Sequence, residues 1–402
     1  METLGVYISV PFCRSKCTYC NFASGVFPDS YHERYIERVI ADIRHSCEVA
    51  RTLSATLPET IDSIYLGGGT PSILAPDLLR RLFGALRMEF SFADAAEITL
   101  ECAPGQIEDN VLDAMVDCGV NRVSFGVQSF IDREAAVAGR LHTREIALRD
   151  IKRARNAGIR SVNVDLIAGL PHQTQESWRE SLDILIGSAV DHASIYMLEV
   201  DEDSRLGREV MDRGGRYHAG SVPSDDLVAD FYTEAIDVLN GSGLSQYEIS
   251  NFARPSAASI HNKKYWLRHP YIGFGLDAHS MLCTADSGAV RFQNGDDLRA
   301  FLDGAGVADV HRISRQQALE EAWFLGLRLT DGASLADLAR EFGANEVQSY
   351  SVLLETLSCD GLINLSGEQV ALTERGRLLS NDVFEQFIRK QEVDMSELVL
   401  VD

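Results

Sequence analysis

The chain has 402 residues, 45% of them hydrophobic, enough for two or three domains with a substantial core, which excludes a disordered or fibrous protein. Thirty-seven Lys+Arg against 60 Asp+Glu give a net charge of −23, which disfavours nonspecific attraction to nucleic acid or an anionic membrane. No apolar run reaches the ~18 residues of a membrane-spanning helix, and Met1 to Val10 carries Glu2 and no basic leader, so a cytoplasmic location is expected.

Taken in chain order, short apolar, β-branched runs alternate with segments of helical periodicity. Strands are expected at Leu4 to Val10, Ile61 to Leu66, Glu97 to Glu101, Arg122 to Val127, Ser161 to Ala168 and Ser194 to Leu198. Helices are expected between them, around Tyr31 to Ala50, Pro76 to Met88, Ile107 to Cys118, Thr143 to Ala157 and Thr174 to Ile186. This alternation predicts an α/β fold of parallel strands with crossover helices. Six strands are fewer than the eight of a closed barrel, and a doubly wound sheet satisfies the same pattern. In both architectures functional residues gather at the C-terminal ends of the strands.

A loose acidic stretch, Asp201 to Asp226, and a helix near Leu227 to Asn240 end the first expected domain, residues 1–240. Residues 241–310, with Tyr247 to Phe252 and a stretch rich in His, Tyr, Trp and Gly up to Ser280, read as a connecting module. In residues 311–402, helices at Gln316 to Leu329, Leu335 to Phe342 and Val347 to Asp360, then a β pair and a last helix over Leu362 to Ile388, resemble a winged helix. That part holds 8 Lys+Arg and 16 Asp+Glu, the wrong sign for phosphate contacts. A packing or partner-binding role is expected there, and no nucleic acid.

Eight cysteines are too sparse for a disulfide scaffold. Cys13, Cys17 and Cys20 form C-x3-C-x2-C after the first strand, with Arg14 and Lys16 beside them to favour thiolates. A structural zinc usually has four ligands and an ordinary [4Fe–4S] cluster four cysteines, so three thiols suggest a cluster with one iron open to another ligand. The plainer readings are a zinc site completed by Cys47 or a histidine, or three unligated thiols. Gly67-Gly68-Gly69-Thr70-Pro71-Ser72, after the second strand, lets backbone approach a ligand and lacks the lysine of a P-loop. Glu101, Gln128, Arg140 and Asp165 stand at or just beyond strand ends, where singly each reads as a solvated or capping residue.

Together these residues resemble the radical S-adenosylmethionine (SAM) superfamily, whose signature is this C-x3-C-x2-C spacing. The resemblance implies a [4Fe–4S] cluster on Cys13, Cys17 and Cys20, its unique iron binding SAM, on a partial six-stranded (β/α) barrel. Gly68, Gly69 and Thr70 are similar to the family's segment that holds the SAM amino group. Glu101, Gln128, Arg140 and Asp165 resemble the SAM-contacting set of the HemN-like branch, Arg140 meeting the methionine carboxylate and the others methionine and ribose. Tyr7 and Tyr19 would pack against the cofactor.

That branch holds decarboxylases of coproporphyrinogen III and the HemW haem chaperones, and this sequence is more similar to the chaperones. Cys20 is followed by Asn21 and Phe22 instead of the enzymes' C-x-C, and twelve residues precede Cys13 where the enzymes carry a long segment. His261-Asn262-Lys263-Lys264-Tyr265-Trp266 matches the chaperones' H-N-x-x-Y-W. The motif implies haem, with His261 on the iron, Tyr265 and Trp266 against the porphyrin, Lys263, Lys264 and Arg268 for propionates, and His269 and His279 in reserve.

The expectation is a haem chaperone serving apo-haemoproteins such as respiratory cytochromes, a membrane-associated acceptor included. It would be a monomer or weak homodimer, with an electron donor for its cluster. The alternatives are an oxygen-independent coproporphyrinogen III oxidase, a radical SAM enzyme that opens the haem ring, and an iron–sulfur protein with a regulatory winged helix. Two departures stand out: Glu101-Cys102-Ala103-Pro104 where the family has Glu-Ala-Asn-Pro, and Asp277 in a Gly-rich turn.

Overall fold

A computed structural model describes residues 2–388 apart from 203, 213, 286 and 287. Its first six strands are joined by five crossovers: β1 (Leu4–Val10), α1 (Ser30–Thr52), β2 (Thr60–Gly68), α2 (Pro76–Glu89), β3 (Ser91–Cys102), α3 (Asp109–Asp117), β4 (Arg122–Gln128), α4 (Asp132–Val137), α5 (Arg144–Asn156), β5 (Ser161–Ala168), α6 (Gln175–Gly187) and β6 (His192–Met197). All six expected strands form, β3 running longer than its apolar stretch, and α4 is an addition the periodicity does not show. Each strand pairs in parallel with the next. That sequential order is the order of a (β/α) barrel, since a doubly wound sheet reverses at a switch point. β6 pairs with β5 and a later strand and not with β1, so the barrel is partial.

Strands buried on both faces usually read as continuous apolar runs. Here apolar residues alternate with small or polar ones, and the pleat sends the two sets to opposite faces. Val6, Ile8, Ile64, Leu66, Ile98, Leu100, Val123, Phe125, Val162, Val164 and Ile195 are buried in the hydrophobic core. The other set hydrogen-bonds from strand to strand: Ser124 Oγ donates to Asp165 Oδ2 at 3.1 Å, Asn163 Nδ2 to Asp165 Oδ1 at 2.7 Å, and Tyr65 OH to Glu101 Oε1 at 2.9 Å. The inner face is therefore a polar lumen, as a ligand-holding barrel needs.

After β6 come α7 (Arg205–Asp212), α8 (Asp225–Gly241), β7 (Ser245–Glu248), β8 (Asn251–Ala253), α9 (Ile260–Trp266), β9 (Tyr271–Phe274), β10 (His279–Cys283), β11 (Ala289–Asn294), α10 (Leu298–Leu302) and β12 (Val307–Ile313). The expected connecting module is not a body of its own. β8 and β7 extend the sheet beyond β6, while β9 pairs in parallel with β1 and carries β10, β11 and β12 outward. Strands this short are stable only against an existing edge, and the barrel offers two. Asp277 takes φ 55°, a left-handed conformation that Asp tolerates, at the turn between β9 and β10.

The chain divides into two compact units at Ile313 and Ser314. The second contains α11 (Arg315–Gly326), β13 (Ala333–Ser334), α12 (Leu335–Phe342), α13 (Ala344–Gln348), α14 (Ser351–Cys359), β14 (Ile363–Ser366), β15 (Gln369–Leu372), α15 (Glu374–Leu378) and α16 (Ser380–Glu385). Helices followed by a hairpin are the winged-helix order, around a core in which Trp323 stacks on Phe387 at 5.3 Å. Residues 389–402 of the expected C-terminal domain lie outside the described residues. No helix among the described residues is long and apolar enough to cross a membrane.

Candidate functional site

β1 delivers the chain to the cysteine loop at the C-terminal end of the barrel. Backbone bonds hold the loop on both sides: Gly69 N to Val10 O at 2.9 Å, Thr70 N to Phe12 O at 2.8 Å, Cys13 N to Gly25 O at 2.9 Å and Thr18 N to Ala138 O at 3.1 Å. Gly69 is required by this docking, because a Cβ there would sit 2.7 Å from Val10 O and 2.8 Å from Phe12 O. Cys13, Cys17 and Cys20 are half-buried, each with a separate polar neighbour. Thr70 Oγ1 donates to Cys13 Sγ at 3.8 Å, Arg140 Nη1 donates to Cys17 Sγ at 3.3 Å, and Ser24 Oγ lies 3.8 Å from Cys20 Sγ.

The cation at the cysteines is thus Arg140 rather than the neighbours expected from the sequence. Arg14 is exposed, and Lys16 donates to Phe22 O. Cys13, Cys17 and Cys20 are three thiols from one loop, and a cubane that takes one thiolate on each of three irons suits that donor set. Cys47 is exposed on α1, and Cys102 is buried with its thiol pushed up by desolvation, which makes it inert.

Next to the thiols the lumen gathers the other predicted residues. A Cβ on Gly67 would touch Glu101 Oε1 at 2.9 Å, and one on Gly126 would lie 3.0 Å from Gln128 Nε2 and 3.1 Å from Arg140 Nη2. Gln128 has φ 70° at an irregularity of the β4–β5 register, a strained conformation of the kind that clusters at functional sites. Tyr7 stacks with Tyr65 at 6.2 Å, and Tyr19 packs against Ala138, Ile167 and Leu170. Tyr65, Ser124 and Asn163, which the sequence reading missed, hold the two carboxylates. Their signal was the polar alternation along the strands. Two half-buried carboxylates and a guanidinium beside three thiols suit a ligand with separate cationic and carboxylate ends, which is the chemistry of SAM.

Burial, with Asp165 nearby, pushes the Glu101 carboxyl up to about 7, and burial also raises Asp165. A carboxyl raised on folding adds stability fully present below its unfolded value and lost as pH rises through the folded one. Cofactor-free protein should therefore lose roughly 3 kcal/mol relative to Glu101→Gln between pH 4.5 and 7.5. Urea melts of both proteins across that window test this, and parallel profiles would show Glu101 ionised throughout.

His261, Tyr265 and Trp266 lie on α9, which meets β2 near its N-terminal end at Asp62 and Ser63 and β3 at Glu97. Glu97 and Ser259 cap this helix: Ile260 N and His261 N donate to the Glu97 carboxylate, each at 3.1 Å, and Asn262 N to Ser259 Oγ at 3.2 Å. The expectation of an open axial ligand at His261 does not fit this placement. The residue is 1% exposed, with Nδ1 3.0 Å from Ser63 Oγ and Nε2 3.0 Å from Tyr265 OH, so neither ring nitrogen offers a lone pair outward. Lys264 is likewise not placed for a propionate. It is 2% exposed and pairs with Asp62 Oδ1 at 2.8 Å, while Lys263 lies over the Tyr247 ring. Trp266 and Arg268 are half-buried, and His269 and His279 are exposed.

Comparison with known proteins agrees with this geometry. The family model of the radical SAM superfamily matches residues 7–185 and that of the HemN C-terminal domain residues 313–379. Among curated proteins, heme chaperone HemW of Bacillus subtilis is 31% identical over 388 residues, covering 95% of this chain and 98% of that protein. Heme chaperone HemW of Escherichia coli is 30% identical over 392 residues, 96% of this chain and 99% of that protein. Among solved structures, the coproporphyrinogen III oxidase HemN of Escherichia coli superposes with a TM-score of 0.81 at 24% identity, over 96% of this chain and 90% of that one.

Proposed function

Because the chain belongs to the HemW family of haem chaperones within the radical SAM superfamily, we propose that it binds haem and hands it to apo-haemoproteins, respiratory cytochromes among them. The observation that carries this reading is the 31% identity to a heme chaperone along 95% of the chain. The family brings a [4Fe–4S] cluster and SAM, which together supply one-electron chemistry when bound. In this chain Cys13, Cys17 and Cys20 would hold the cluster, with Arg140 donating a hydrogen bond to the Cys17 sulfur. Arg140, Glu101, Gln128 and Asp165 would orient SAM, Gly68, Gly69 and Thr70 admit its amino group, and Tyr7 and Tyr19 exclude water beside it. The decarboxylase reading has less support, since the solved oxidase shares the fold at 24% identity and Cys20 has no C-x-C continuation.

Haem would dock on the outer side of the motif segment, where Trp266 and Arg268 lie near the exposed imidazole of His269. His261 becomes a ligand only if α9 withdraws, breaking two buried hydrogen bonds at a cost of about 2 kcal/mol. A cytoplasmic site of action, an electron donor for the cluster, a membrane-associated acceptor and a monomer or weak homodimer belong to the same proposal.

Haem titrated into the anaerobically reconstituted protein, then offered to an apo-cytochrome, should bind saturably and transfer without consuming coproporphyrinogen III. SAM-dependent decarboxylation would overturn the carrier reading. We expect His269→Ala to weaken haem at least about tenfold with a changed ligand-field spectrum, and His261→Ala to keep the spectrum. The reverse result would show that α9 withdraws to present His261.

A further inference from the structure

Between the motif helix and the cysteine end, the lumen of the barrel is three residues high. The β1–β2 register places Gly5 beside Ser63, Tyr7 beside Tyr65 and Ser9 beside Gly67. His261 meets the lowest layer at Ser63, Tyr65 occupies the middle, and Glu101 stands against Gly67 at the top. These three side chains form a continuous path: the His261 and Tyr65 rings stack at 5.5 Å and 28°, and Tyr65 OH donates to Glu101 Oε1 at 2.9 Å.

We infer that His261 and Tyr65 are positioning residues for the SAM end of the barrel, the His261 ring fixing the Tyr65 ring and the Tyr65 hydroxyl aiming the Glu101 carboxylate. The inference rests on the reading that Glu101 faces SAM. With both nitrogens bonded, to Ser63 and Tyr265, the imidazole cannot turn about its ring axis. It therefore presents a fixed face to Tyr65, which Tyr7 also stacks against at 6.2 Å. Burial, with Lys264 nearby, pushes the His261 pKa down to about 3, which favours the neutral ring. A histidine that merely fills the core would support stability alone. A histidine that holds Tyr65 acts on the affinity of a ligand at the far end of the lumen.

The test is equilibrium dialysis of radiolabelled SAM against the full chain with its cluster reconstituted and no haem present. Tyr65→Phe and His261→Ala should each raise the Kd for SAM about fivefold to tenfold, within the range for one ordinary hydrogen bond, with cluster iron content unchanged. His261→Gln, which refills the volume and can reach Tyr265, should restore most of the affinity. The double variant should be no weaker than the worse single one, because both changes cut the same path. An unchanged Kd in Tyr65→Phe and His261→Ala, a loss in His261→Gln as large as in His261→Ala, or additive losses in the double variant, overturns the inference. If Glu101→Gln also leaves the Kd unchanged, the placement of SAM at Glu101 fails, and the inference with it. With no haem in the assay, none of these results bears on haem carriage.

Discussion

A Cys17→Ala protein should assemble no [4Fe–4S] cluster and retain no SAM, yet fold and still bind haem. Cys17 is half-buried and its sulfur is bonded by Arg140, so its loss removes one of three thiolates together with the ion pair it would form. The loop does not depend on that sulfur for its path. Backbone bonds from Gly69, Thr70 and Cys13, and the Thr18 bond to Ala138, remain in place, so the stability cost should stay within about 1 kcal/mol. The motif helix lies at the other end of the strands and keeps its caps on Glu97 and Ser259. Iron and sulfide analysis with visible absorbance after reconstitution checks the first part, and a haem titration the second. Full cluster absorbance in the variant would remove Cys17 from the ligand set. Loss of haem binding together with the cluster would place the cargo at the cysteine end instead of at α9.

Asp62→Ala should be the costliest single change at the motif end, about 3 kcal/mol and a fall in Tm on the order of 5 °C. Lys264 is 2% exposed, and its ammonium lies 2.8 Å from Asp62 Oδ1 and 3.1 Å from Thr3 O. Without Asp62 the chain must bury an unpaired cation, which costs more than the pair contributes. Lys264→Met should cost much less, about 1 kcal/mol, because the side chain of Asp62 is 25% exposed and can be hydrated once alone. Thermal and urea unfolding of the two variants reads this asymmetry. Equal losses would mean that packing of the Lys264 stem against Gly5, and not charge, holds the helix.

The six parallel strands and their crossovers were legible in the sequence because each needs only a local pattern, a β-branched run followed by a helical period. Choosing a partial barrel over a doubly wound sheet was not local. It depends on strand order, and so on which edges pair across tens of residues. The same holds for β7 to β12, whose runs of a few residues become strands only on the edges that β1 and β6 present.

At the site, spacing alone was enough to single out Cys13, Cys17, Cys20 and the Gly67-Gly68-Gly69 run, since neighbours in one loop stay neighbours in any fold. Glu101, Gln128, Arg140 and Asp165 were legible because strand ends converge on one edge of a sheet. Tyr65, Ser124 and Asn163 were missed because their role lies in the face they share, and that face exists only once β2, β4 and β5 are in register. His261 shows the limit most plainly. Its motif marks a family, but whether its imidazole meets solvent or Ser63 and Tyr265 is decided by how α9 lies across strands some 200 residues earlier in the chain. Sequence thus determined the chemical groups and their local spacing. Tertiary structure decided which are desolvated, because burial and hydrogen-bond partners come from contacts distant in the chain.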